Sequence, residues 1–257
     1  MTQDGKIVER LRAAGCVFAE DEARLIVGAA RGAAELSAMV DRRLAGLPLE
    51  QVVGWAAFSG LRIVVEPGVF VPRRRTEFLV RQAVTGGAPA AGDVVVDLCC
   101  GSGAVGAAIA AAVPGVELHA ADIDPAAVRC ARRNVAAAAG RVYEGDLYAP
   151  LPPRLRGTVA VLAANVPYVP SREVGLLPAE ARDHEPLVAL DGGADGLDVL
   201  RRVAAGAGEW LAPGGRLLVE TTERQAARAA MVFTRHGLTA RTAADEDGNA
   251  TVVIGTR

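Results

Sequence analysis

Apolar, strand-like runs alternate with helical segments over the C-terminal two thirds of the chain. A buried strand at 94–98 precedes an alanine-rich helix at 103–113. Further strands are predicted at 116–122, just before Asp146, up to Asn165 and at 215–221, with helices at 125–138, at 196–211 and up to His236. Such alternation predicts an α/β fold, a Rossmann-like sheet of parallel strands with helices on both faces.

The last part of this pattern departs from the alternation. Two strands, at about 238–244 and 250–256, flank the turn sequence E-D-G-N. A hairpin at this point predicts one antiparallel strand at the C-terminal end of the otherwise parallel sheet. The sheet is therefore expected to contain seven strands.

The first 90 residues show a different organisation. Three short helices are predicted within residues 5–46, each ending near a glycine. Residues 52–65 predict a β-hairpin with its turn at Ser59-Gly60, and Thr76 is a candidate N-cap for the helix that follows. The predicted domains are residues 1–50 (a small helical domain), 51–90 (the hairpin and a connecting helix) and 91–257 (the sheet domain).

Composition argues against several classes of protein. Hydrophobic residues make up 51% of the 257 residues, which is enough for a substantial core and is not typical of a disordered chain. The formal net charge is −2, so no overall basic field indicates a nucleic-acid partner. Gly, Pro or charged residues interrupt the apolar runs, so no membrane span is predicted.

The four cysteines are Cys16, Cys99, Cys100 and Cys130. Their spacing matches neither a zinc-binding pattern nor a disulfide framework, so no metal site is predicted. Free cysteines are typical of a reducing compartment. The charged first ten residues lack an apolar signal region, and the expected location is the cytoplasm.

Gly101, Gly103 and Gly106 match the G-x-G-x-x-G pattern of dinucleotide-binding loops, although the match alone is a weak signal. Asp97 lies four residues before Gly101, at the end of a predicted strand. A carboxylate there disfavours a pyrophosphate at the helix N-terminus and therefore argues against NAD. It suits a cofactor that carries an ammonium and a sulfonium. A simpler interpretation is that Asp97 caps a turn that the glycines make tight.

Two more acids follow the next two predicted strands. Asp122 comes one strand–helix–strand unit after Asp97, where an acid can accept both ribose hydroxyls of a nucleoside. Ile123 is then expected on the adenine face, and Asp146 with Leu147 at the adenine edge. Because ligands of open parallel sheets bind at the carboxyl ends of the strands, three acids there favour S-adenosyl-L-methionine over NAD.

Asn165 ends the next predicted strand and is followed by Val166, Pro167 and Tyr168. One interpretation is an Asn that bonds its own backbone in a turn. The chemical interpretation is more specific: the Asn165 side-chain carbonyl and the Val166 backbone carbonyl each accept one N–H of an incoming –NH₂ group. Tyr168 offers a flat face to a planar amide or base, and Pro167 stiffens the loop. This arrangement suits methyl transfer to a planar amine, which depends mainly on orientation.

From about Pro48 to its C-terminus, the chain resembles the HemK/PrmC family of protein N5-glutamine methyltransferases, which modify the Gly-Gly-Gln motif of peptide release factors. The resemblance is carried by D-L-C-C-G-S-G, A-D-I-D-P, G-D-L-Y and N-V-P-Y, and more narrowly by V-F-V-P-R-R-R-T-E and H-E-P-L-V-A-L-D-G-G-A-D-G-L. It implies a class I methyltransferase fold, with the N-terminal helices contributing to substrate recognition.

The resemblance also assigns residues. It implies S-adenosyl-L-methionine as the cofactor and a glutamine-bearing protein, a release factor, as the substrate. The implied cofactor loop is Cys99, Cys100, Gly101, Ser102 and Gly103, with Asp122 on the ribose and Asp146 and Leu147 at the adenine edge. The implied substrate-amide motif is Asn165 to Tyr168.

Three positions depart from the family pattern. Val166 replaces a proline, Cys99 replaces a glycine, and Arg74 and Arg75 replace a proline and an acid. The last change reverses a charge near the predicted site. Two alternatives therefore stay open: an N6-adenine methyltransferase acting on nucleic acid, and a non-catalytic relative that binds a partner. The low aromatic content, 4%, argues against the first because few stacking platforms are present.

Residues 169–194 form a long connection between a predicted strand and helix. Connections of this length inside a compact domain are usually functional. We predict that this lid segment lies beside the substrate cleft, and that Glu185 anchors it rather than taking part in chemistry.

Overall fold

The structure, a computed structural model, describes residues 3–257. Met1 and Thr2, which belong to the predicted N-terminal domain, lie outside the described residues. The described part forms a seven-stranded sheet, a two-stranded hairpin and an N-terminal group of helices, which confirms the predicted fold class. No helix in the described part of the chain is long and apolar enough to cross a membrane.

The N-terminal helices pack around a hydrophobic cluster of their own. The three predicted helices are present, and a short fourth one follows them: α1 (Gln3–Ala13), α2 (Ala19–Ala29), α3 (Ala33–Leu44) and α4 (Leu49–Val53). Leu11 and Ile26 are fully buried between them. Such a small cluster stabilises little alone, so its contacts with the rest of the chain matter. The predicted domain boundaries stay a prediction.

The hairpin consists of β1 (Trp55–Phe58) and β2 (Leu61–Val64) and turns at Ser59-Gly60 as predicted. Helix α5 (Glu77–Ala83) follows it, but the prediction of Thr76 as a side-chain N-cap is wrong. Thr76 lies in a 3₁₀ turn over Arg74–Thr76, with helical backbone angles, and its side chain makes no capping hydrogen bond. Its hydroxyl is buried instead, without a hydrogen-bond partner.

The sheet strands are connected by helices in the predicted alternation. In chain order the elements are β3 (Val94–Leu98), α6 (Ala104–Ala112), β4 (Glu117–Asp122), α7 (Pro125–Asn134), β5 (Arg141–Glu144), β6 (Val159–Ala164), α8 (Ala179–His184), α9 (Asp198–Trp210), β7 (Leu211–Thr221), α10 (Glu223–Arg235), β8 (Thr239–Ala244) and β9 (Thr251–Thr256). Their spatial order is β5-β4-β3-β6-β7-β9-β8. β9 is antiparallel to both its neighbours, as the closing hairpin predicted.

The central strands are buried on both faces, which explains their continuous apolar sequences. Every residue of β3 is buried. Val96 and Leu98 belong to the cluster that contains α9 and α10, whereas Val95 faces the cluster that contains α5 and α6. Helix α7 ends at Asn134, earlier than predicted, and the Asn134 side chain bonds the backbone of Val64 in the hairpin.

Arg43 of α3 links the N-terminal helices to the lid segment. Its guanidinium forms a two-point ion pair with Glu22 of α2, with N–O distances of 2.6 and 3.1 Å, and also contacts Glu180 of α8. The Arg43 and Glu22 side chains are only 10% and 11% exposed. Burying a charge requires a partner, so Arg43 and Glu22 depend on each other. The contact with Glu180, whose side chain is 48% exposed, connects the N-terminal helices to the lid segment.

We predict that Arg43→Met lowers the free energy of unfolding by about 3–5 kcal/mol, because the nearly buried Glu22 carboxylate loses its cation. Arg24→Met is the matched control: Arg24 pairs with Asp21 on the surface, so its change is expected within about 0.5 kcal/mol. Urea unfolding of both variants measures the difference. Equal effects would contradict the role of Arg43.

Candidate active site

The carboxyl ends of β3, β4 and β6 open on one cavity of about 410 Å³, called here the strand-end cavity. It is lined by Asp97, Cys99, Cys100, Gly101, Ser102, Asp122, Ile123, Asp146, Leu147, Asn165, Val166, Pro167 and Tyr168. The sequence-predicted site residues therefore come together, because neighbouring parallel strands end at the same edge of the sheet. Their individual roles stay predictions.

Gly103 is the exception among the predicted cofactor residues, since it does not line the cavity. It precedes α6 with a left-handed backbone (φ 76°), and a Cβ added there would lie 3.0 Å from the Cβ of Ala131. Gly103 thus permits a tight turn and the close approach of α7. Its contribution to the site is indirect.

Asp97 is buried beneath the loop, and its Oδ2 accepts a hydrogen bond of 2.8 Å from the backbone N–H of Gly106. A Cβ at Gly106 would lie 3.1 Å from that same oxygen, so glycine allows the contact. Burial raises the pKa of Asp97 to about 7, and the nearby Asp122 carboxylate acts in the same direction. Asp97 both holds the helix start, as the simpler interpretation had it, and lines the cavity.

Asp122 is held by backbone donors on both carboxylate oxygens. Oδ2 accepts from the N–H of Gly101 at 2.8 Å, and Oδ1 accepts from the N–H of Asp124 at 2.9 Å. Asp124 in turn caps α7, since its Oδ1 accepts from the backbone N–H of Ala126. Because the glycine loop fixes the carboxylate, the remaining lone pairs of Asp122 are pre-oriented at the cavity wall.

The predicted adenine-edge residues, Asp146 and Leu147, line the cavity. Asp146 forms an ion pair with Arg202 of α9. Leu147 has a left-handed backbone (φ 49°), and the side chain of Ile123 is 52% exposed. An apolar side chain on the cavity wall is compatible with the predicted adenine face.

Cys99 also adopts a left-handed backbone, with φ at 52°. L-residues pay about 1–2 kcal/mol for this conformation, whereas glycine does not. The departure from the family pattern at position 99 is therefore a strained one. Burial raises the pKa of the Cys99 thiol, so the side chain is neutral at physiological pH.

Two acceptors of the Asn165–Tyr168 loop have no partner. The Asn165 side-chain oxygen is buried without a hydrogen bond. The N–H and C=O groups of Val166 have no backbone or side-chain partner among the described residues. Buried acceptors are normally satisfied, so the unpaired Asn165 oxygen, one residue before the free Val166 carbonyl, is consistent with a ligand that donates hydrogen bonds. The turn interpretation of Asn165 lacks the bond that it requires.

The lid segment lines the strand-end cavity together with this loop. Its ends meet where Val169 N donates to Leu190 O (3.1 Å) and Gly192 N donates to Val169 O (2.8 Å). Glu185 is buried and accepts from Val71 N at 3.1 Å and from Arg73 at 2.6 Å. The anchoring role predicted for Glu185 is confirmed. Leu177, Ala181 and Leu190 are among the lid residues that line the cavity.

The sequence reasoning missed two contributors to the cavity. One is the segment before α5, which brings Phe70, Pro72, Arg75 and Thr76 to the wall. The other is Arg202, which pairs with Asp146. The V-F-V-P-R-R-R-T-E motif signalled the first group through the family resemblance. No local pattern signals Arg202, because its partner lies 56 residues away.

The site fits a cationic nucleoside cofactor. Asp97 and Asp122 provide carboxylates, Ile123 provides an open apolar face, and unpaired acceptors lie beside them for a second ligand. A Rossmann-like sheet with these residues at its edge fits a methyltransferase that uses S-adenosyl-L-methionine. The residues predicted to hold that cofactor, all of which line the cavity, are Asp97, the Cys99–Ser102 loop, Asp122, Ile123, Asp146 and Leu147.

Known proteins agree with this class. The family described as "Methyltransferase small domain" matches residues 60–173. A release factor glutamine methyltransferase of Mycolicibacterium smegmatis is 41% identical over 77% of this chain and 70% of its own length. A 4-amino-L-phenylalanine/4-methylamino-L-phenylalanine methyltransferase of Streptomyces pristinaespiralis is 37% identical over 77% of this chain and 69% of its own.

A solved methyltransferase structure from Pyrococcus furiosus superposes with a TM-score of 0.57 at 18% identity, covering 77% of this chain and 89% of the other. At that identity the likeness concerns the fold alone. The curated relatives carry the assignment further: the chain belongs to the release factor glutamine methyltransferase family. The predicted family, fold class and cofactor are confirmed.

We predict that cofactor affinity weakens about tenfold between pH 8 and pH 6, since Asp97 loses its charge as pH falls through about 7. The cofactor is cationic, so only the ionised carboxylate attracts it. Isothermal titration calorimetry at several pH values measures this. Asp97→Asn is expected to bind more weakly and to lose that part of the pH dependence. An identical pH profile in Asp97→Asn would contradict the assignment.

We also predict that Cys99→Gly raises the free energy of unfolding by about 0.5–1 kcal/mol, because glycine adopts the left-handed backbone without strain. The control is Cys100→Gly, which has no such strain to relieve and removes a buried side chain, so it should destabilise by about 1 kcal/mol. Urea unfolding distinguishes the two. Equal destabilisation would contradict strain at Cys99.

Proposed function

We propose that this protein methylates the side-chain amide nitrogen, N5, of a glutamine in a peptide chain release factor, and that it does so in the cytoplasm. The observation that carries the proposal is the buried, unpaired side-chain oxygen of Asn165, beside the unpaired carbonyl of Val166. A primary amide has two N–H donors, so it matches this pair of acceptors. Relatives named as release factor glutamine methyltransferases support the choice of a release factor as the substrate.

The loop acts chiefly by orientation. Asn165 Oδ1 and Val166 O would each accept one amide hydrogen, which fixes the plane of the –NH₂ group and leaves its lone pair free to face the cofactor. S-adenosyl-L-methionine, when bound, supplies the methyl group from its sulfonium. Holding two reacting atoms in line contributes up to about 7–11 kcal/mol. No side chain needs to form a covalent bond.

The wall around the acceptor is largely apolar. Val166 and Leu190 are nearly fully buried, and Leu177, Pro178 and Pro186 of the lid segment also line the cavity. Apolar walls exclude water, which strengthens the hydrogen bonds to Asn165 and Val166. Tyr168 completes the wall with an aromatic ring suited to a planar amide.

Transfer of labelled methyl from S-adenosyl-L-methionine tests the proposal. The acceptors are a release factor, the same factor with its Gly-Gly-Gln glutamine replaced by Glu, a DNA oligonucleotide and 4-amino-L-phenylalanine. Label in the first acceptor alone supports the proposal. Label in the oligonucleotide or the free amino acid, with none in the release factor, would replace it by the corresponding amine methyltransferase. Cofactor binding without any transfer would favour a non-catalytic relative.

We predict that Asn165→Ala abolishes transfer while cofactor affinity stays within about tenfold, a difference of at most ~1.4 kcal/mol. The variant keeps the Val166 carbonyl but loses the second acceptor, so the amide is no longer fixed. Asn249→Ala, at an exposed turn, is the matched control and should leave turnover and affinity unchanged. Unchanged turnover in Asn165→Ala would refute its assigned role.

A further inference from the structure

Tyr168 is held at three points. Its backbone carbonyl accepts a 3.0 Å hydrogen bond from the side chain of Gln225. Its hydroxyl lies 2.6 Å from Nη2 of Arg75 and 3.1 Å from Oε1 of Glu220. Arg75 Nε also donates to that same Glu220 oxygen at 3.1 Å, so Arg75, Tyr168 and Glu220 form a closed cycle of hydrogen bonds. This set is called here the Tyr168 clamp.

The chemistry of the three groups fixes the direction of each bond. A guanidinium has only donors and a carboxylate only acceptors. The Tyr168 hydroxyl therefore accepts from Arg75 and donates to Glu220. Burial, followed by the Glu220 charge, raises the pKa of Tyr168, so the hydroxyl keeps the proton that this arrangement requires.

Arg75 is the cation on which the clamp depends. Glu220 is 2% exposed, and Arg75 is its ion-pair partner. The second carboxylate oxygen of Glu220, Oε2, is buried without a hydrogen bond. Arg75 lies 145 residues earlier in the chain and lines the strand-end cavity. Arg75, which reverses a charge in the family pattern, is thus neutralised by Glu220. The central carbon of its guanidinium lies 5.9 Å from the centroid of the Tyr168 ring.

The loop that Tyr168 ends is less constrained at its centre. Val166 has rotational freedom about φ that a proline lacks, and its N–H and C=O have no partner among the described residues. Pro167 restricts only its own φ and, more weakly, the residue before it. The hydrogen bonds of the Tyr168 hydroxyl restrict the Asn165–Tyr168 loop at its other end.

We propose that Arg75 is a positioning residue: through the Tyr168 clamp it holds the Tyr168 ring and the two acceptors of the loop, replacing the stiffness that a proline at position 166 would give. The role in turnover rests on the proposed function. Two departures from the family pattern, Val166 and Arg75, are then one compensating pair.

The test variant is Arg75→Met with Glu220→Gln, which keeps the apolar stem of Arg75 and avoids an unpaired buried carboxylate. We expect kcat to fall about 10- to 100-fold, because small misplacements of reacting groups cost this much. The KM for the acceptor and the cofactor Kd should stay within about threefold. Arg74→Met is the control: Arg74 is the exposed neighbour of Arg75, its side chain makes no hydrogen bond or ion pair in the described part of the chain, and it does not line the cavity.

Adding Val166→Pro to the test variant provides a rescue. The Val166 N–H has no hydrogen bond to lose among the described residues, and Asn165 directly follows strand β6. A proline favours an extended backbone at the residue before it. We expect Val166→Pro to raise kcat at least fivefold in the test variant, and by a clearly smaller factor in the otherwise unmodified protein, because the proline restricts a loop that the clamp already holds there. Absence of rescue would overturn the compensation.

Hydrogen exchange separates this proposal from the proposed function, because it needs no acceptor substrate. Exchange over residues 165–170 should be at least about threefold faster in the test variant than in the unmodified protein or Arg74→Met. Equal exchange in all three would overturn the clamp. A protein that methylates no release factor but shows the faster exchange would refute the proposed function and leave the clamp standing.

Discussion

The parallel pairing of β3 with β4 and β6 is the constraint on which the site depends. Leu98 pairs with Ala121 on one side and Ala164 on the other, so the three strands end level with one another. Asp122 ends β4 and Asn165 directly follows β6. A shift of one residue in either pairing would turn the polar side chains into the opposite face of the sheet. The buried apolar residues of β3 fix that register, and through it the chemistry at the edge.

Most of the sheet and half of the site follow from local sequence. Strand–helix alternation predicted the topology, and polar residues at the strand ends predicted the strand-end cavity. The rest depends on contacts between distant segments: Arg75 reaches Tyr168 across 93 residues, and Arg43 reaches Glu180 across 137. Thr76 shows the same limit of local prediction. Its residue type favours an N-cap, but its segment packs against the cavity and the side chain makes no capping hydrogen bond. Local propensity carries no information on such docking.

Most of the buried polar atoms without a hydrogen-bond partner lie at or near the strand-end cavity. Four buried side-chain atoms of the described residues have no hydrogen-bond partner, on Arg42, Thr76, Asn165 and Glu220. Thr76 and Asn165 line the strand-end cavity, and Glu220 belongs to the Tyr168 clamp. Each such atom costs about 1–3 kcal/mol when it stays unpaired. Stability is thus given up around the site, where a substrate can supply the missing partners.

The position of β9 has a consequence for the order in which the protein is made. Residues 251–256 form no edge strand: they lie between β7 and β8 and pair with both. A nascent chain that has reached only residue 250 therefore has a β8 with no neighbour to bond. β3 to β7 leave the ribosome first, but a domain generally folds as a unit. The far side of the sheet closes only when the last of these residues leaves the ribosome.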